Sequence, residues 1–137
     1  MSYPVKQIIV VRKDLKMRRG KEAAQVAHAS MKFMAKALAV SMSEHAPFLV
    51  SEYMQDNLTE DAIAWLEGSF AKVVVSVDSL EELDSIAEKA EFAGLTVNEI
   101  IDAGRTEFAG VPTKTCIAIG PNKSEEIDKI TGELTLR

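Results

Sequence analysis

The chain is poor in the residues that staple a fold or hold a metal. It has one cysteine, Cys116, and two histidines, His28 and His45, in 137 positions. A single thiol excludes an internal disulfide and suits a reducing compartment, which points to the cytoplasm. Two distant histidines and one cysteine give no zinc-ligand spacing, so no metal and no other cofactor is expected. Aliphatic runs are only a few residues long, too short to cross a bilayer, and no membrane role is expected. The opening Met-Ser-Tyr-Pro-Val-Lys-Gln lacks the charged-then-apolar plan of a secretory signal. Repeats, low-complexity tracts and Pro/Gly/Ser-rich linkers are absent too, so residues 1–137 read as one domain.

What is present is ordinary globular composition, 47% hydrophobic and 27% charged, with an uneven distribution of charge. The net charge of −5 argues against indiscriminate nucleic-acid binding, and no DNA partner is expected. Residues 1–40, however, hold nine Lys/Arg and two Asp/Glu, whereas the remainder hold seven and nineteen. A basic first third on an acidic body steers a polyanion to one surface; the plainer alternative is a solvated charged face.

The basic residues concentrate at one place. The apolar run Ile8-Ile9-Val10-Val11 leads into Lys16-Met17-Arg18-Arg19-Gly20-Lys21, and an alanine-rich segment follows. A buried strand thus feeds a basic loop that opens a helix, where free N–H groups and the helix dipole favour anions. The Gly-x-x-x-x-Gly-Lys-Ser/Thr spacing of a Walker loop is missing, since Glu22 follows Lys21. Lys21, Gln25, His28 and Lys32 fall at i, i+4, i+7 and i+11, one face of a helix. That face is the first candidate site, with Lys16, Arg18 and Arg19 beside it.

Periodicity and punctuation place the remaining elements. Val5–Arg12 reads as a strand. A helix runs from about Gly20 to Ser41, with Ala23, Val26, Ala27, Met31, Met34 and Leu38 as its apolar stripe. Residues 42–57 carry no clear pattern; Pro47 breaks any helix and His45 reads as loop surface. Thr59 caps a short helix that carries Trp65 and stops at Gly68. Ala71–Val77 is a second strand, and Ser79 with Glu82 forms a capping box for a helix burying Leu83, Ile86, Ala87 and Ala90. Leu95–Ile101 is a third strand, Thr115–Gly120 a fourth, and 122–130 a last helix. Strands alternating with helices indicate an α/β fold. No helix separates the last two strands, so a mixed four-stranded sheet with helices on both faces is expected. Ligands bind beyond the carboxyl ends of such strands. If strands one and three run parallel, the basic loop meets the loop Asp102-Ala103-Gly104-Arg105-Thr106.

Three blocks together resemble the archaeal and eukaryotic-type (type 2) peptidyl-tRNA hydrolases. They are Val10–Met17 with Gly20–Ala29, Asp102–Thr106, and Ala118-Ile119-Gly120-Pro121 with Thr131-Gly132. The resemblance implies a homodimer that hydrolyses the ester between a stalled peptide and the terminal ribose of tRNA, in the service of translation and ribosome rescue. By position it puts the family's lysine on Lys21, its aspartate on Asp102 and its threonines on Thr106 and Thr115. The sequence departs from the family in three places. Arg18-Arg19-Gly20 replaces a Gly-Lys-Gly, Phe70-Ala71 stands for a Gln-Pro, and the loop before strand four is one residue longer, so Thr113 competes with Thr115.

Each candidate has a structural alternative. Lys21 can stabilise an oxyanion or hold a phosphate, or be a solvated first-turn lysine. Asp102 can hold or deprotonate water, or be a turn aspartate that bonds nearby N–H groups. Thr106 and Thr115 can position water or a ribose hydroxyl, or serve only the fold. Lys16, Arg18, Arg19, Gln25, His28 and Arg105 are candidates for binding the acceptor-stem end; for His28 the alternative is a packed ring bonded to a carbonyl. Cys116 reads as a small core residue, not a nucleophile. No RNA-stacking aromatic pair is evident, so RNA contact should be phosphate-directed. A silent tRNA- or protein-binding module, and a small phosphate-binding enzyme, are the competing readings.

Overall fold

Val5–Arg12 forms strand β1, and its alternation supplies two cores at once. The computed structural model describes residues 3–137. Ile8 and Val10 point to one side of the sheet, and Ile9 and Val11 to the other, all essentially buried. A strand covered on both faces reads as a continuous apolar run, as β1 does. Parallel to it lies β2 (Lys72–Val77); β4 (Thr113–Lys123) runs antiparallel on its other side. The strand β3 (Val97–Asp102) is antiparallel to β4, and so points the same way as β1. The order is β3-β4-β1-β2-β5. The fifth strand corrects the expected four: β5 is Thr135–Leu136, paired with Val75 and Ser76 of β2. Two residues are too few to produce a periodic signal.

One face of the sheet packs on α4 (Leu80–Phe92) and α5 (Ser124–Thr131), through Leu83, Ile86, Ala87, Ala90 and Ile127. Ser79 accepts the N–H of Glu82 at 3.1 Å, while the Glu82 carboxylate accepts the N–H of Asp78, a capping box displaced by one residue. The other face carries the long α1 (Arg19–Glu44), followed by a 3-10 turn at Pro47–Leu49, the single-turn α2 (Val50–Tyr53) and α3 (Glu60–Glu67). The Thr59 hydroxyl caps α3 by accepting from Ala62 N–H at 3.0 Å. Trp65 of α3 is buried edge-on against Phe33 of α1. His45 is half-buried and stacks on Tyr53, not free on a loop surface.

The buried stripe of α1 differs from the one expected. Gln25, Ala29, Ala37 and Ser41 face inward, whereas Ala23, Ala27, Met31 and Leu38 are exposed and Val26 and Met34 half-buried. Beneath Ala29 the sheet offers Cys116 and Ala118, so small residues on both sides bring helix and sheet close. Polar side chains enter that interface only with partners. Gln7, fully buried on β1, accepts from the Ser30 hydroxyl at 2.6 Å and donates to the Ser30 carbonyl.

Candidate active site

Because β1 and β3 point the same way, their carboxyl ends lie at one end of the sheet, and the loops leaving them meet there. After β1, a 3-10 turn at Lys13–Leu15 ends on Lys16 in the left-handed conformation (φ 51°), and α1 begins three residues later. Among the described residues no side chain caps the first turn of α1, so its N–H groups stay available beside Lys21. Lys21 and Gln25, one helical turn apart, both face the end of β3.

There Lys21 Nζ lies 2.6 Å from Asp102 Oδ1 and donates to Thr106 Oγ1 at 2.8 Å. Gln25 Nε2 donates to the same Asp102 oxygen at 3.3 Å. The second oxygen, Oδ2, accepts the Gly104 N–H at 2.9 Å. One Asp102 oxygen thus pairs with Lys21, and the other makes the turn-aspartate bond read from the sequence. The side chains of Lys21 and Asp102 are 16% and 13% exposed, near the surface but mostly shielded. The Lys21 hydrogen bond holds the Asp102 carboxyl below the usual carboxylate range. Burial opposes that shift; the Gly104 N–H, the charge of Lys21 and the Gln25 amide add to it. Asp102 is accordingly ionised at neutral pH, a fixed negative charge against a fixed positive one.

Gly104 makes this geometry possible. Its φ is +81°, and a Cβ there would stand 2.6 Å from the Val111 carbonyl oxygen. It also accepts the Gly110 N–H, closing the loop. The turn-aspartate alternative read from the sequence is the bond from the Gly104 N–H to Asp102, since Asp-Ala-Gly is the pattern of an aspartate bonding an N–H two residues on.

Thr115 reaches the pair through Gln25. The register of β3 against β4 shifts between Ile100, opposite Cys116, and Ile101, opposite Lys114, which leaves Thr115 in a bulge. Its hydroxyl, fully buried, donates to Gln25 Oε1 at 2.6 Å. Thr113 sits opposite Asp102 in the ladder, but its hydroxyl is turned to the Val111 carbonyl. Hence a chain of polar contacts runs Thr115, Gln25, Asp102, Lys21, Thr106. Gln25 is buried within it, not presented to solvent as a surface binding residue would be.

The other candidates stay outside this cluster. Lys16, Arg19 and Arg105 are exposed, and Arg18 is 89% exposed, with Glu107 3.7 Å away. Lys32 donates to the Glu99 carbonyl at the margin of β3. His28 is exposed, with no hydrogen bond to the described residues, so the packed histidine does not occur. Cys116 is a core residue as expected; burial pushes its thiol up to about 11, with the Thr115 contact opposing and the charge of Glu22 reinforcing. No helix among the described residues is long and apolar enough to cross a membrane.

The sequence is similar to those of known proteins. A family profile, that of peptidyl-tRNA hydrolase PTH2, matches residues 5–137. The chain is 44% identical over 135 residues to a peptidyl-tRNA hydrolase of Methanothermobacter thermautotrophicus, covering 96% of this chain and 99% of the relative. It is 39% identical over 132 residues to one of Saccharolobus solfataricus, covering 96% and 98%. A third, from Sulfurisphaera tokodaii, is 44% identical over 131 residues, covering 96% and 97%.

Proposed function

The chain belongs to the peptidyl-tRNA hydrolase PTH2 family and hydrolyses peptidyl-tRNA, and we propose that Lys21 and Asp102 are the groups that do so. The observation that carries this assignment is the 2.6 Å ion pair at the joined strand ends, flanked by Thr106 and backed by Gln25. Ester hydrolysis needs a held water, a stabilised carbonyl oxygen and a proton for the departing ribose oxygen. Lys21 supplies the positive charge for the oxyanion. Asp102 orients the attacking water; its lowered pKa makes it a positioning charge first and a weak base second. The Thr106 hydroxyl accepts from Lys21 and keeps its own hydrogen for the water or a ribose oxygen. Water adds to the ester carbon, the bond to the ribose oxygen breaks, and the proton lost by water ends on that oxygen. Gln25 and Thr115 hold Asp102 in place from behind.

Around this centre Lys16, Arg18, Arg19 and Arg105 are exposed cations in the two loops that converge, suited to the phosphates of an acceptor-stem end. The span 1–137 acts as one domain in the cytoplasm, returning tRNA from stalled peptides. Homodimer formation is supported by apolar surface on the distal half of α1 and the turn after it, where Leu38, Met42 and Phe48 are exposed. The test is release of free tRNA from an N-acetylaminoacyl-tRNA by purified protein. Turnover that persists in folded Lys21→Ala and Asp102→Asn proteins contradicts the assignment. Binding without turnover in the parent restores the silent binding module.

A further inference from the structure

Among the described residues β3 is the last strand on its side of the sheet, paired with β4 alone. In an antiparallel ladder every second residue turns its N–H and C=O away from the partner strand. Glu99 is one of these, its carbonyl held by Lys32 at 2.5 Å, and Ile101 is the next toward Asp102. An open strand edge is a template for another extended chain. Between this edge and α1 lies a groove of about 690 Å3, walled by Ala27, His28, Met31 and Ala35 of α1 and by Ile100 and Ile101 of β3. Both walls continue the elements that carry the ion pair. The helix α1 runs on from Lys21 and Gln25, and β3 ends in Asp102. Met31 and Ile101 are 67% and 61% exposed.

We propose that the edge of β3 receives the peptide arm of the substrate as an added strand. The proposal rests on the reading of Lys21 and Asp102 as the hydrolytic centre, since an ester held there sets the peptide's last residue beside the end of β3. Backbone pairing reads no side chains, which suits a substrate whose peptide varies. Successive peptide side chains alternate between faces, one meeting the α1 wall at Ala27 and Met31, the next meeting Ile101. Lys32 limits the length. Its ammonium occupies the Glu99 carbonyl, so at ~3.3 Å per residue the edge is open for about three residues from Asp102.

The test compares KM for an N-acetylaminoacyl-tRNA and for an N-acetyltripeptidyl-tRNA with apolar residues. The parent should show a KM about tenfold lower for the tripeptide, the scale of one or two apolar side chains finding a pocket. Combined Met31→Ser and Ile101→Ser should bring the ratio to within about twofold. N-methylation of the tripeptide's amides should do the same without altering the protein. Equal KM values in the parent, or a tenfold ratio that survives either change, overturns the proposal. So does a fall from two copies to one in sedimentation on the double substitution, because a second copy then covers the groove. Parental turnover of the one-residue substrate by Lys21→Ala removes the hydrolytic reading instead, and leaves the ratio as a separate measure of the groove.

Discussion

At the scale of single residues, the site depends on a few side chains whose roles differ from their exposure. Asp102 is fixed from three directions, by Lys21, Gln25 and the Gly104 N–H. Gly104→Ala places a Cβ against the Val111 carbonyl and forces a positive φ on a residue that resists it. The expected cost is about 1–3 kcal/mol of stability, measured by denaturant unfolding. A loss of kcat larger than any loss of tRNA affinity should accompany it, because the substitution displaces Asp102 and leaves the exposed cations alone. Lys21 stood out through the helix start and its spacing, whereas Asp102 was singled out by the family resemblance, with the strand ends placing its loop near Lys21. Thr115 was legible only as a position. Its link to Asp102 through Gln25 depends on a bulge, and no residue type in Thr113-Lys114-Thr115 signals which strand position is left unpaired.

At the scale of elements, punctuation was more informative than apolar periodicity. Thr59, Ser79 and Gly68 marked helix ends well, since caps act through local bonds that a sequence displays directly. The apolar stripe of α1 misled, because alanine appears on every side of that helix and counts as apolar wherever it lies. Which side packs inward was decided by size: close approach to Cys116 and Ala118 admits Ala29, while Met31 and Leu38 face outward. The same argument predicts that Ala29→Leu is disruptive despite its greater hydrophobicity. Overpacking a closely set helix costs about 1–3 kcal/mol, and a lowered melting temperature would register it. Unchanged or increased stability would mean that helix and sheet are not as closely fitted as the buried Ala29 requires.

At the scale of the whole molecule, a negative protein gathers exposed cations where the loops leaving β1 and β3 converge. Several basic groups elsewhere are already neutralised by partners, Lys6 by Asp128 and Lys114 by Asp84 and Glu99. Arg19 and Arg105 are exposed, and Arg18 has only a loose contact with Glu107. Neutralising Arg18 and Arg19 together should therefore weaken tRNA binding and lower the log–log salt slope by about one to two units, with the fold intact. Binding titrations between low and moderate salt measure it, and an unchanged slope removes this surface from the account. Charge asymmetry along the chain made this face legible. The edge of β3 was not, because an outermost strand is defined by pairing order and no local pattern records it.

The central claim is that Lys21 and Asp102 act as one unit on the ester. It is tested most directly by kcat/KM on N-acetylaminoacyl-tRNA for the parent, Lys21→Ala, Asp102→Asn and the double variant. Each single substitution should lower kcat/KM by about two orders of magnitude or more. Asp102→Asn should leave tRNA affinity nearly unchanged, since removing a negative charge does not weaken attraction to phosphate. The double variant should be far less impaired than the product of the two losses, because a unit once broken has little more to lose. Near-parental turnover in both folded single variants, or losses that simply multiply, would contradict the account.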